Sequence, residues 1–376
     1  MTAEKTLESP GRIPSLDGIR AVAISINIFG HVVGRYNWPP KDSFFYKFLG
    51  RPSCSFWGGD GVGIFFVLSG FLITTLLFQE YEKTKTIRLG DFYIRRCFRI
   101  LPPLYVFLLF ALIYCLVKPV PFGIHDFLSP ALFYRDYYFH HNLWVVENLW
   151  TLSVEEQFYF LWPFFMLIAL RYGGRSAAAK LAAGLIILAP ILRLAGYALH
   201  IHFTQNHNST MFHTRMDSLM AGCLVALSIG LPRFEAFYRR FAPYWWTLPI
   251  YFWGISYYLD VRFFPKYTFS IGYTLDSIAT ALFILWASRN AQSLVGKVLN
   301  SRLFVTMGVL SYSAYLWQTF FTNKENTSFL GVMPWALISI WICAWLSYHF
   351  VEMPALNLRK KLFAQRRKKA MVEQTA

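Results

Sequence analysis

The chain has 376 residues, of which 56% are hydrophobic and only 15% charged, with 37 Phe, 22 Tyr and 13 Trp and a net charge of +16. Soluble domains carry about 25% charged residues, so this composition excludes a disordered chain, a fibrous repeat and an ordinary cytosolic enzyme. It is the composition of an all-α polytopic membrane protein, and at ~20 residues per span the length makes about ten transmembrane helices.

The apolar runs fall at 16–36, 60–79, 100–118, 149–170, 181–200, 215–231, 243–260, 269–288, 303–322 and 331–350. No small-residue cleavage site follows the first run. It carries Asp17, Arg20 and His31, and it reads as a retained span rather than a signal peptide. The positive charge does not point to nucleic acid, because it sits in short clusters between apolar runs. Alternating the segments from side to side places 24 Lys and Arg on one side and 9 on the other. Three more, Arg20, Arg193 and Arg215, lie within spans. This bias marks the richer side, with both termini, as cytoplasmic. The expectation is a single transmembrane domain over 1–376, with spans from about 16 to 350, a basic cytoplasmic tail at 353–376 and no appended soluble domain. The tail reads as a topology signal that also meets anionic lipid headgroups. The longest outer stretches are 37–59 and 119–148, the second rich in aromatic residues from Tyr134 to Trp144.

Five scattered cysteines have no metal-ligand spacing and read as buried free thiols. His140-His141 and His200/His202 also lack metal-ligand company, so no metal is expected. Gly61 to Phe71 is neither a nucleophile elbow nor a dinucleotide fingerprint. Its glycines suit close helix packing.

An ionisable side chain at mid-membrane costs roughly 2.5–3.5 kcal/mol on insertion scales, and it usually faces protein or a wet cavity. In the first span Arg20 and His31 stand eleven residues apart. That is about 20° past three full turns and about 16 Å along the axis, so both lie on one face. Asp17, one turn below, can pair with Arg20. The bare pattern also fits a structural ion pair and a packing histidine. Between the second and third spans come Arg95, Arg96 and Arg99. Arg96 and Arg99 share a helical face, and arginine binds phosphate bidentately. The cluster fits a polyphosphate cradle as well as a membrane anchor. In the fourth span Glu155 and Glu156 point about 100° apart and so have different surroundings. Glu155 shares its face with Leu152, Tyr159 and Trp162.

Seven segments, in order, resemble the membrane-bound acyltransferase-3 family, which includes bacterial O-antigen and Nod-factor acetylases. They are Ser15 to Ala21 running on to His31, Gly63 to Phe71, Arg95 to Pro102, Trp150 to Tyr159, Arg215 to Leu219, Leu310 to Trp317, and Phe350 to Pro354. The resemblance implies that Arg20 and His31 form the active-site motif, that Arg96 and Arg99 hold acyl-CoA with Arg95 beside them, and that Glu155 is the acid of the serine-valine-glutamate pattern. Asp17, Ser69, Tyr159, Arg215, Asp217, Tyr315 and Glu352 are supporting positions in the same segments. Many members carry His three residues after the tyrosine matched by Tyr315. Gln318 stands there in this chain, so no acid–base role passes to it.

The implied activity is O-acylation in the bacterial cytoplasmic (inner) membrane, without a resident cofactor. Acyl-CoA, with acetyl-CoA the expected form, is the co-substrate. His31 acts as general base toward a hydroxyl of an extracytoplasmic or lipid-linked glycan. A covalent acyl-histidine is equally compatible with the sequence. A small hydroxylated metabolite such as a macrolide is the alternative acceptor, and a transporter or flippase without chemistry is the alternative class. Membrane lipid is a partner, nucleic acid is not, and homo-oligomerisation stays open.

Overall fold

The computed structural model describes residues 13–36, 54–138, 143–199 and 209–375. His140-His141, His200/His202 and the segment 37–53 lie outside the described residues. Among the described residues the regular structure is helical, with no strand.

The first two helices are α1 (Leu16–Tyr36) and α2 (Cys54–Thr84). The third, α3 (Leu89–Val117), carries Pro102 and Pro103 in its interior. Helix α4 (Trp150–Ala198) is 49 residues long and loses helical geometry at Gly174, where φ is 61° and ψ is −161°. Left-handed φ suits glycine, which has no Cβ to clash. The break makes two arms of about 24 residues, each ~36 Å long and able to cross a ~30 Å hydrocarbon core. They correspond to the expected spans at 149–170 and 181–200. Next come α5 (Phe212–Ser228) and the basic α6 (Pro232–Phe241). The chain closes with α7 (Tyr273–Arg289), α8 (Arg302–Thr322), α9 (Trp335–Ser347) and α10 (Met353–Thr375).

Six helical stretches among the described residues are long and apolar enough to cross a membrane, or seven if α5 and α6, bent by 109°, make one span. The expected spans at 243–260 and 303–322 are helical but not among the six. The first is divided into short pieces at Thr247–Ile250, Tyr251–Ser256 and Tyr257–Phe263. The second, α8, dilutes its apolar residues with Ser, Thr, Tyr and Gln. Those polar positions are mostly turned inward, as at Ser311, Ser313, Gln318 and Thr319.

Glycine sets how closely the central helices approach. A Cβ on Gly70 of α2 would collide with the Leu219 carbonyl of α5, and one on Gly222 of α5 with the Val67 carbonyl of α2. A Cβ on Gly308 of α8 would likewise strike the Asp17 carbonyl of α1, and one on Gly18 the Leu299 carbonyl. In lipid, where apolar burial gives helices little reason to associate, such backbone contact is a main source of packing energy. Ser15 fixes the start of α1: its Oγ donates to the Ala287 carbonyl at 3.0 Å, and its N–H donates to Asn300 Oδ1 at 2.9 Å.

Between α3 and α4, Asp136 ties the aromatic segment to two helices. Its carboxylate accepts from Gln157 Nε2 at 2.8 Å and from the Phe212 N–H at 3.1 Å. Burial pushes this carboxyl up to about 7, against the two hydrogen bonds, which lower it. Cys115 and Cys223 are buried, but Cys97 is exposed. It lies 100° round the helix from Arg96 and about 160° from Arg99, on a different face from the two arginines.

Candidate active site

Five helices meet around a cavity of about 100 Å³. From α1 comes Arg20, from α2 Phe66 and Ser69, from α3 Arg96 and Arg99, from α4 Glu155 and Tyr159, and from α8 Tyr312 and Tyr315. Their sequence spacing explains the convergence. Leu152, Glu155 and Tyr159 recur every three to four residues on α4, and Arg96 and Arg99 do so on α3, so each set forms one stripe.

The polar groups form a chain. The Tyr159 hydroxyl donates to Ser69 Oγ at 2.9 Å, and Ser69 Oγ donates to Glu155 Oε1 at 2.7 Å. The Arg96 guanidinium lies over the Tyr159 ring, 4.5 Å from its centroid. Arg20, Arg96 and Arg99 line the same cavity as Glu155. Arg20 is held from below by Asp17, Nη1 to Oδ1, at 2.5 Å. The Tyr315 hydroxyl donates to the Asn148 carbonyl at 2.8 Å and accepts from Thr151 Oγ1 at 2.6 Å. Glu156 turns away from this chain, and its buried Oε1 has no hydrogen-bond partner among the described residues.

His31 does not line this cavity. It is half-buried on α1, one turn beyond the buried Asn27, whose Oδ1 accepts a hydrogen bond from Gln318 Nε2 of α8. Gln318, at the position where the resemblance led one to look for histidine, therefore ties α8 to α1 within a turn of His31. Arg95 stands apart as well. It is half-buried and faces Glu80 at 3.7 Å. Glu352 is buried and accepts from Ser313 Oγ.

Arg215 and Asp217, two residues apart, diverge. Asp217 is fully buried and pairs with Arg193 at 2.9 Å, while Thr274 Oγ1 donates to the same oxygen at 2.6 Å. Arg193 also donates to the carbonyls of Phe269 and Thr214. Arg215 is 2% exposed and lies 3.8 Å from the centroid of Tyr273. Its Nε and Nη1, with Asp60 Oδ2 and Asp276 Oδ1, have no hydrogen-bond partner among the described residues. These side chains line a cavity of about 10 Å³, room for about one water molecule. Asp60, Asp276, Tyr273 and Arg193 were not singled out as site residues from the sequence. Asp60 and Asp276 carried a signal, as acids within apolar runs. Among the described residues no group of three or more His, Cys, Asp or Glu is placed to hold a metal ion.

Apolar helices of spanning length surround a cavity lined by polar side chains, an arrangement that defines a multi-pass membrane protein. Residues 13–349 match the acyltransferase-3 domain family, and the chain belongs to that family. It is 27% identical over 375 residues to the peptidoglycan O-acetyltransferase OatA of Listeria monocytogenes, covering 91% of this chain and 55% of that protein. It is 30% identical over 384 residues to the O-acetyltransferase OatA of Staphylococcus aureus, covering 94% of this chain and 58% of the relative. The chain thus spans little more than half the length of these curated relatives. No solved structure matches it.

Proposed function

We propose that the protein is an integral-membrane O-acyltransferase that moves an acetyl group from cytoplasmic acetyl-CoA to a hydroxyl of an extracytoplasmic or lipid-linked glycan. The observation that carries this reading is the convergence of three arginines, one carboxylate and a hydroxyl chain on a single cavity. The relatives' names make peptidoglycan the first acceptor to try. A cavity of about 100 Å³ has room for a small acyl group and the end of its thioester, which favours acetyl over a long chain.

In this reading the coenzyme's phosphates, which lipid does not admit cheaply, lie against Arg96 and Arg99, and the thioester reaches between the helices. An alcohol needs a base near neutral pH. His31 takes the acceptor's proton as the oxygen attacks the thioester carbonyl. The C–S bond then breaks, and the proton passes to the departing thiolate. Arg20, about 16 Å along α1 from His31, holds the pantetheine–phosphate end of the donor. A second reading has Glu155 as the base, because it lines the cavity, His31 does not, and Ser69 stands 2.7 Å from it.

Purified protein supplied with acetyl-CoA should release coenzyme A when an acceptor glycan is present and little without it. Arg96→Ala and Arg99→Ala should each raise the donor KM about ten- to a hundredfold, the worth of one charge-assisted hydrogen bond. Acceptor KM should move less. An unchanged donor KM in both variants removes these arginines from the donor site.

The orientation in this reading is ten crossings with both termini cytoplasmic, supported by the charge bias. In a cysteine-free background, Lys85→Cys and Gln365→Cys should resist an impermeant thiol reagent applied from outside, whereas Asn142→Cys should react. Outside labelling at position 365 overturns the even count.

A further inference from the structure

Helix α10 belongs to the segment that the sequence presents as a basic tail. It runs back along the start of α3. Arg366 Nη1 lies 3.8 Å from Asp91 Oδ1. Arg359 is seven residues earlier, about 10.5 Å back along the axis and within about 20° of the same face. On α3, Arg95 and Arg99 follow Asp91 by four and eight residues on one stripe. An antiparallel pairing anchored at Arg366 and Asp91 therefore sets Arg359 beside Arg95 and Arg99, and Arg359 interacts electrostatically with both.

The charge balance at this place is unusual. Arg95 has Glu80 at 3.7 Å, and Arg366 has Asp91. Neither Arg99 nor Arg359 has a carboxylate within ion-pair distance among the described residues. Arg99 and Arg20 both line the cavity. The order Arg359, Arg99, Arg20 is thus a ladder of guanidinium groups leading from the surface of α10 into the cavity. Like charges gathered this way repel, and a multivalent anion removes the repulsion. Guanidinium groups match phosphate oxygens with paired N–H donors.

We infer that Arg359 completes, with Arg95 and Arg99, a binding site for a phosphate-bearing ligand at the mouth of the cavity. The ligand's source is either the phosphates of coenzyme A or the headgroup of an anionic lipid. The coenzyme assignment rests on the acyl-CoA reading given above, whereas the anion site itself does not.

The test uses the full chain in phosphatidylcholine nanodiscs, with and without phosphatidylglycerol. Coenzyme A binding is followed by calorimetry and retained phosphatidylglycerol by native mass spectrometry. Arg359→Gln should weaken coenzyme A binding about ten- to a hundredfold, with an unchanged melting temperature. Lys360→Gln, on an exposed neighbour, should leave binding as it was. If Arg359→Gln sheds phosphatidylglycerol and keeps coenzyme A, the anion site stands with lipid as its ligand. If it changes neither while Arg99→Ala still weakens coenzyme A binding, the proposal for Arg359 falls and the donor site stands. If the unaltered protein binds no coenzyme A and Arg359→Gln retains its lipid, both fall.

Discussion

Replacing His31 with alanine should lower acyl transfer about 10²–10⁴-fold, the usual range for losing a general acid–base. Donor binding should survive, because Arg20, at the cavity, is about 16 Å along α1 from His31. The protein should still insert and fold, since His31 is half-buried and the nearby link between α1 and α8 runs through Asn27 and Gln318. His31→Gln isolates the proton, as glutamine keeps hydrogen bonding but cannot titrate. The informative comparison is with Glu155→Gln, assayed for turnover and donor KM at matched protein levels. If His31→Gln retains substantial turnover and Glu155→Gln loses it, the base is the carboxylate that Ser69 contacts, and His31 is reduced to a positioning residue.

The largest effect on stability is expected at Arg193. Its guanidinium and the Asp217 carboxylate are both fully buried and 2.9 Å apart. Two carbonyls and Thr274 complete the guanidinium's hydrogen bonding. Arg193→Ala strands a charge where water cannot reach it, a change that costs about 3–5 kcal/mol in a protein interior. The double substitution Arg193→Met with Asp217→Leu removes both charges and should cost clearly less. Thermal unfolding in detergent, read by loss of the monodisperse elution peak, measures both. A double variant no more stable than Arg193→Ala would show that packing, not the stranded charge, dominates this site.

Much of the candidate site could be read in the sequence because its signals are local. Helical periodicity places Arg96 with Arg99, and Glu155 with Tyr159, and the family motifs indicate Arg20, Ser69 and Tyr315. All seven line one cavity. What stayed hidden depends on tertiary contact. Asp217 belongs to a motif with Arg215, yet residues two apart on a helix point about 160° apart, and its partner is Arg193 from another helix. Arg359 is indistinguishable from its basic neighbours until α10 is seen against α3. The helical turns with widened hydrogen bonding at Tyr251–Ser256, Thr268–Gly272 and Tyr348–Glu352 leave no mark in an apolar run.

The glycine contacts have a mechanical consequence. Where two helices touch backbone to backbone, no flexible side chain lies between them to re-pack, and sliding drives a carbonyl into the neighbouring ridge. Gly70 and Gly222 bind α2 to α5 in this way, and Gly308 binds α8 to α1 through Asp17, directly beneath Arg20. Helix α2 with α5, and α1 with α8, are therefore each held as one body. In the proposed reaction, entry of a thioester from one side and an alcohol from the other falls to the walls without such contacts, α3 and the first arm of α4. There the contacts are made by side chains, such as Tyr93, whose ring lies 5.9 Å from that of Phe160 and whose hydroxyl donates to the Phe160 carbonyl at 2.8 Å, and a side chain can re-pack where abutting backbones cannot.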